Sequence, residues 1–263
     1  MTVNVGLIGC GGMGRRHIGG MGRLKNSGHM HFELTALCDL IPENLQKATE
    51  SAQTHLGVSP AQYTDFDSMV DAQALDAVII TTTPETHTLI GKQALNAGLH
   101  VMVEKPIALT VAQGKELVQA AEDANLKLAV AENYRRDPIN RLAKALIDAG
   151  VIGQPFLATQ SSSGAGEQVV ITPWRHLKQR GGIIFDMGVH YTDILEFLLG
   201  PMTEVFAMNA VVDETRIDAD GRKHPADAED LSVGTARFAS GAIANWMLSM
   251  AGRGEGHFTR RVY

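Results

Sequence analysis

The stretch Val3-Asn4-Val5-Gly6-Leu7-Ile8-Gly9-Cys10-Gly11-Gly12-Met13-Gly14 decides the fold. Its first half is an apolar run, as expected of a strand buried on both faces. Its second half matches G-x-G-x-x-G, and a helical stretch over 15–24 follows. Glycine triplets are common in turns, but between a strand and a helix this one has the context of a dinucleotide-binding turn. Gly9 permits the tight turn, Gly11 lets a pyrophosphate approach the backbone, and Gly14 lets the helix pack against the strand. The N-terminus of the helix that follows offers N–H groups and a positive dipole end.

Strand and helix then alternate. Strands are expected at 34–38, 77–81, 100–103 and 126–131, and helices at 42–56, 85–97 and 110–125, the last with Thr110 as N-cap. Such alternation implies an α/β Rossmann domain, a doubly wound parallel sheet, over residues 1–131. Asp39 ends the second strand. A carboxylate there can accept both ribose hydroxyls of an adenosine and repels a 2′-phosphate, so NAD is preferred to NADP; the other reading is an Asx turn before Pro42. Cys10 and Cys38 read as small strand-end residues rather than redox partners.

The second half has a different pattern. Helices are expected at 138–149 and 183–199, the second closed by Gly200-Pro201. Strands are expected at 156–161, 205–212, 231–238 and 242–249, with the last two joined through Ala239-Ser240-Gly241. These imply an α+β domain over 132–263 with a mainly antiparallel open sheet. The charged residues of 213–230 read as a solvated hairpin loop. The stretch 251–263 reads as a strand beginning, so the second domain is expected to be incomplete.

Composition narrows the function classes. The 263 residues are 44% hydrophobic and 20% charged with a formal net charge of −6, which fits a globular protein and argues against nucleic acid as a partner. No run of apolar residues is long enough for a membrane span, and the start of the chain lacks a secretory pattern. With two cysteines and no disulfide framework, a cytoplasmic location is expected.

Three segments carry chemistry. In Val101-Met102-Val103-Glu104-Lys105-Pro106 an apolar strand ends in a carboxylate, an amine and a proline. An amine at a buried strand end is costly to desolvate, and at the edge of a nucleotide-binding sheet Lys105 is a candidate proton donor or acceptor. After another strand end, Thr81-Thr82-Thr83 offers hydroxyls toward the cofactor. Pro84 starts the next helix, and His87 either caps it or touches ligand. In the expected long helix, Asp186 and His190 stand at i and i+4 on one face with Asp193 near it, and Gly188 permits close approach. His190 can move a proton near neutral pH, while Asp186 either orients it or binds substrate. Arg175 either touches substrate or cofactor or pairs with an acidic neighbour. Asn133-Tyr134-Arg135-Arg136, after the last strand of the first domain, line the cleft, or Arg135 or Arg136 ties the domains together. Tyr191 is a substrate contact or a packing residue. No third strong ligand stands near Asp186 and His190, so no metal is assigned.

Gly9 to Gly14, Thr82-x-Pro84-x-x-His87, Glu104-Lys105-Pro106 and Asp186-x-Gly188-x-His190 together resemble the glucose–fructose oxidoreductase, inositol dehydrogenase and rhizopine-catabolism (Gfo/Idh/MocA) family. The resemblance covers nearly the whole chain, and family members usually continue for several dozen residues further. It implies a cofactor site of Gly9, Gly11, Gly12, Met13, Gly14, Asp39, Thr82, Pro84, His87, Glu104 and Lys105. The lysine is implied to approach nicotinamide and substrate, with a Lys–Pro peptide that is often cis. Substrate is implied to meet Lys105, Arg175, Asp186, His190 and Tyr191. The expected activity is that of an NAD-dependent oxidoreductase acting on a sugar, polyol or related hydroxy/keto compound. Either His190 or Lys105 carries the proton. An NAD-dependent glycosidase and a non-catalytic dinucleotide sensor are the alternatives, and homo-oligomers are common in the family.

Overall fold

The computed structural model describes residues 2–263, which divide into two compact units, 2–131 and 132–263. The first unit runs β1 (Val3–Ile8), α1 (Gly12–Asn26), β2 (Phe32–Cys38), α2 (Pro42–Leu56), β3 (Ala61–Tyr63), α3 (Phe66–Ala72), β4 (Ala77–Ile80), α4 (Pro84–Asn96), β5 (His100–Val103), α5 (Val111–Asp123) and β6 (Leu128–Val130). All five strand pairings are parallel, in the order β3-β2-β1-β4-β5-β6. This is the doubly wound order whose direction reverses beside β1. The strands are apolar on both faces because helices cover both. Leu7, Leu37 and Ile79 pack with Ile18 of α1 and Leu45 of α2, while Val78, Ile80 and Val103 pack with Leu95 of α4 and Leu117 of α5. Each such buried side chain contributes about 1.5–3 kcal/mol.

Two elements of this unit go beyond the expected set. β3 and α3 are short; α3 packs Phe66, Met69 and Val70 on the core, and the Asp65 side chain caps it by accepting from Ser68 N–H. α1 also begins at Gly12 rather than at 15, so the glycine motif itself forms its first turn.

The second unit runs α6 (Pro138–Asp148), β7 (Leu157–Ala165), α7 (Ile183–Leu199), β8 (Met202–Ala210), β9 (Thr215–Ile217), β10 (Lys223–Pro225), β11 (Leu231–Phe238), β12 (Ile243–Gly252) and β13 (His257–Val262). Five strands form a sheet in the order β13-β7-β12-β11-β8, antiparallel except for β7 with β12. The strand expected within 251–263 is β13, and β7 runs past 161 to Ala165 because its serines pair with β12 and β13. On one face Ala158, Ala236, Phe238 and Ala244 pack under Ile194, Leu195 and Leu198 of α7. The other face carries Phe206, Met208 and Val233, all exposed. No helix among the described residues is long and apolar enough to cross a membrane.

The stretch 213–230 is not the solvated loop expected from its charge. Arg216 on β9 and Asp230 are 0% and 1% exposed, and they form an ion pair of 2.5 Å. Arg216 also donates to the carbonyls of Gly166 and Met250, and Asp230 accepts from Val212 N–H and Asp213 N–H. Each charge is desolvated but matched, which is the condition under which burial is tolerated. Asp230→Ala leaves the guanidinium buried and unpaired, so urea unfolding is expected to show a loss of about 3–5 kcal/mol. A loss under about 1 kcal/mol would show that the pair does not anchor the β9–β10 hairpin.

Candidate functional site

In the first unit the chemistry collects at one edge of the sheet. Parallel strands end together, so the residues after β1, β4 and β5 are neighbours. Thr81 N–H donates to Ile8 C=O at 2.8 Å, and Glu104 N–H donates to Ile80 C=O at 2.9 Å. The glycine turn, the threonine loop and the Glu104-Lys105 segment therefore share this edge.

The glycines separate into two kinds. Gly9 has φ +92°, and a Cβ there would stand 2.7 Å from Thr81 C; a Cβ on Gly14 would stand 2.2 Å from Gly9 O. These two are fixed by the protein's own packing. A Cβ on Gly11 or Gly12 would meet nothing within 4 Å. The bare backbone there opens α1, whose N-cap supplies no side-chain hydrogen bond and whose first turn has no acidic residue. Free N–H groups, a positive helix end and no side chain over them fit a dinucleotide pyrophosphate. Met13 is half-buried in the same turn.

Asp39 accepts from Cys10 N–H at 2.7 Å and from Ile41 N–H at 2.8 Å, and Asn44 Nδ2 donates to it. The Asx turn before Pro42 is formed, and the same carboxylate is bonded to the glycine turn. Burial, then Asp39, pushes the Cys10 thiol up to about 12; burial, then Asp65 and Asp39, pushes the Cys38 thiol up to about 11. Neither is a thiolate at neutral pH.

His87 belongs to the frame rather than to the ligand surface. It is 0% exposed, with Nδ1 2.8 Å from Pro106 C=O and Nε2 3.2 Å from Thr82 C=O. Burial lowers its pKa. It fastens the threonine loop to the segment behind Lys105, and Pro84 is buried beside it as the first residue of α4. The Thr82 hydroxyl is a half-buried acceptor for Thr86. Glu104 also turns inward: Oε1 lies 2.7 Å from His17 Nε2 on α1, and Oε2 accepts from Lys105 N–H at 3.0 Å. His17, absent from the expected set, sits three residues past Gly14 in a helix read only for its glycines. The Lys105–Pro106 peptide is cis.

In the second unit α7 presents Asp186 and His190 on one face, both buried. The carboxylate bonded to His190 is not the one anticipated. Glu132 approaches His190 Nδ1 with Oε1 at 2.8 Å and Oε2 at 2.7 Å. Asp186 instead accepts from Arg175 Nε at 3.1 Å. Arg175 also bonds Thr172 and lies over the Trp174 ring, so the expected pairing with an acidic neighbour is formed. Arg135 pairs with Asp193 at 2.6 Å, within this unit. Tyr191 is 5% exposed and packs against Tyr134 and Phe258. Gly188 lines a cavity of about 400 Å³ with Phe185, Val189, Thr192 and Trp246, and a Cβ on it would meet nothing within 4 Å. No group of three or more His, Cys, Asp or Glu side chains among the described residues is placed to hold a metal.

Beside Arg175, His176 is 1% exposed, and its Nε2 accepts from Val170 N–H at 2.9 Å. Burial, then the Arg216 cation, lowers its pKa to about 4 from 6.5. The unfolded chain therefore takes up a proton that the folded chain refuses. The resulting stability is whole above about pH 6.5 and declines as pH falls toward about 4, by up to about 3 kcal/mol. Urea unfolding between pH 7.5 and 4.5 is expected to show this decline, and His176→Gln, which keeps an acceptor for Val170, is expected to flatten it. An identical decline in both proteins would rule His176 out as its source.

Known proteins match both units. A family model described as "Oxidoreductase family, NAD-binding Rossmann fold" covers residues 3–132, and one described as "GFO/IDH/MocA C-terminal domain" covers 140–263. D-apiose dehydrogenase of Paraburkholderia graminis is 34% identical over 207 residues, spanning 78% of this chain and 52% of that protein. Levoglucosan dehydrogenase of Pseudarthrobacter phenanthrenivorans is 30% identical over 264 residues, 93% of this chain and 66% of that protein. A solved levoglucosan dehydrogenase in complex with NADH and L-sorbose superimposes with a TM-score of 0.86 at 27% identity, covering 100% of this chain and 71% of the other. The chain thus spans between about half and two-thirds of the length of these curated relatives.

Proposed function

The chain belongs to the GFO/IDH/MocA oxidoreductase family, and from that premise we propose that it catalyses reversible hydride transfer between NAD and a carbinol carbon of a sugar, polyol or related hydroxy/keto compound. The observation that carries the proposal is the bare start of α1, open at Gly11 and Gly12 and bonded through Cys10 N–H to Asp39. It offers a phosphate site and a hydroxyl acceptor side by side. The carbohydrate class follows the relatives, whose names are those of D-apiose and levoglucosan dehydrogenases.

NAD supplies the hydride acceptor when bound, which leaves the protein binding, orientation and proton handling. The first N–H groups of α1 hold the pyrophosphate. Asp39 accepts from the adenosine ribose hydroxyls and repels a 2′-phosphate, favouring NAD over NADP. As the carbinol is oxidised its O–H proton passes to His190. Lys105 donates to the substrate oxygen and stabilises the charge developing there.

Three substitutions test these roles in an assay of NADH formation with a panel of sugars and polyols. Lys105→Ala and His190→Ala are each expected to lower kcat by about 10²–10⁴-fold while NADH affinity stays near wild type. Wild-type turnover in both would sink the proposal. Asp39→Ala is expected to weaken NAD by about ten- to a hundredfold and to narrow the preference over NADP. Selectivity for NADP in the unaltered protein would contradict the role given to Asp39.

A further inference from the structure

Glu132 is the first residue of the second unit and one of its few buried carboxylates. Its side chain is 10% exposed, that of His190 7%. Both carboxylate oxygens lie within hydrogen-bond distance of His190 Nδ1, and Oε1 also accepts from Tyr134 N–H at 2.8 Å. The Tyr134 ring stacks on the imidazole, with centroids 4.5 Å apart and planes 12° from parallel. Tyr134 in turn lies under the Arg260 guanidinium, which is tied to Gln160 and Asn140. The imidazole is therefore gripped at its edge by a carboxylate and across its face by a tyrosine that is itself held.

This arrangement fixes which nitrogen can act. A carboxylate is an acceptor only, so Nδ1 carries a hydrogen and donates it. In the neutral ring the lone pair is then on Nε2. An anion behind Nδ1 also stabilises the imidazolium that proton uptake would form, the role of the buried carboxylate in Ser-His-Asp sites. Asp186, the carboxylate one turn away on α7, is engaged with Arg175.

We propose that Glu132 is the positioning residue of His190: it holds the Nδ1–H tautomer, so that Nε2 is the atom that takes the hydroxyl proton and returns it in the reverse direction. The inference rests on the reading of His190 as proton carrier. It gives that reading an atom, and it makes the chain's histidine a dyad with a residue outside the Asp186-x-Gly188-x-His190 motif.

Glu132→Gln is the discriminating change. Tyr134 N–H requires an oxygen at the Oε1 position, so the amide NH₂ takes the place of Oε2 and points a donor at Nδ1, while the oxygen that remains 2.8 Å from Nδ1 no longer carries charge. The hold on the Nδ1–H tautomer is weakened and the anion behind the ring is lost. Ring ¹⁵N shifts from long-range ¹H–¹⁵N correlation spectra at pH 8 are expected to show His190 protonated at Nδ1 in the wild type and a raised share of the Nε2–H form in E132Q. A comparable carboxylate-to-amide change behind a catalytic histidine costs about 10⁴ in kcat. Here kcat is expected to fall at least a hundredfold while NADH affinity and KM stay within about threefold.

A wild-type ring protonated at Nε2 overturns the proposal without recourse to any variant. His190→Gln separates the two levels. If H190Q loses turnover but E132Q keeps wild-type kcat and tautomer, the positioning role alone is overturned. Wild-type turnover in H190Q overturns the proton-carrier reading, and the catalytic role of Glu132 with it.

Discussion

Parallel strands bring all their carboxyl ends to one edge of a sheet, and the first unit depends on that constraint. Once β1, β4 and β5 pair in register, the residues after them have no choice of neighbourhood. The glycine turn meets the threonine loop, and the Glu104-Lys105 segment lies beside both. Close packing then specifies the details. A Cβ on Gly14 would stand 2.2 Å from Gly9 O, so the helix approaches its strand this closely only with glycine there. The same approach brings the uncapped N–H groups of α1 to the edge where a dinucleotide binds in folds of this order. His87 and His17 face inward and support the two loops from behind.

The second unit solves a different problem, that of keeping charge in a poorly solvated interior. Three buried pairs recur: Glu132 with His190, Arg175 with Asp186, and Arg216 with Asp230. Pairs of this kind add little net stability, because desolvation offsets most of the attraction, but losing one partner is costly. Their effect is to fix direction. Arg216–Asp230 anchors the β9–β10 hairpin, Arg175–Asp186 sets the segment before α7 against its first turn, and Glu132 sets the imidazole.

Elements with strong periodicity and clear punctuation were legible to the residue. Pro42–Leu56 has a proline at its start and Gly57 at its end, Ile183–Leu199 stops at Gly200-Pro201, and Leu231–Phe238 runs into the turn at Ala239-Ser240-Gly241. β3 and α3 were not, since three and seven residues are too few to show a sustained period, although Phe66, Met69 and Val70 stand at i, i+3 and i+4 and Asp65 marks the cap. The segment 213–230 misled because composition counts charges singly. Arg216 and Asp230 cancel each other in the interior, and nothing local says that they meet. The same limit explains Glu132. Helical spacing pairs Asp186 with His190, but the actual partner lies 58 positions away and comes together with His190 only in the folded unit. Its one sequence signal was a carboxylate just past the expected strand 126–131, the position that Asp39 and Glu104 hold after theirs.

The direct test of hydride transfer uses NADH carrying deuterium at nicotinamide C4, incubated with a panel of keto sugars and related ketones, with the products analysed by mass spectrometry and NMR. The expected result is an alcohol bearing one deuterium at its carbinol carbon, delivered from the coenzyme and not from solvent. NADH bound but no label transferred to any member of the panel, or a glycoside cleaved with no net transfer, would contradict it.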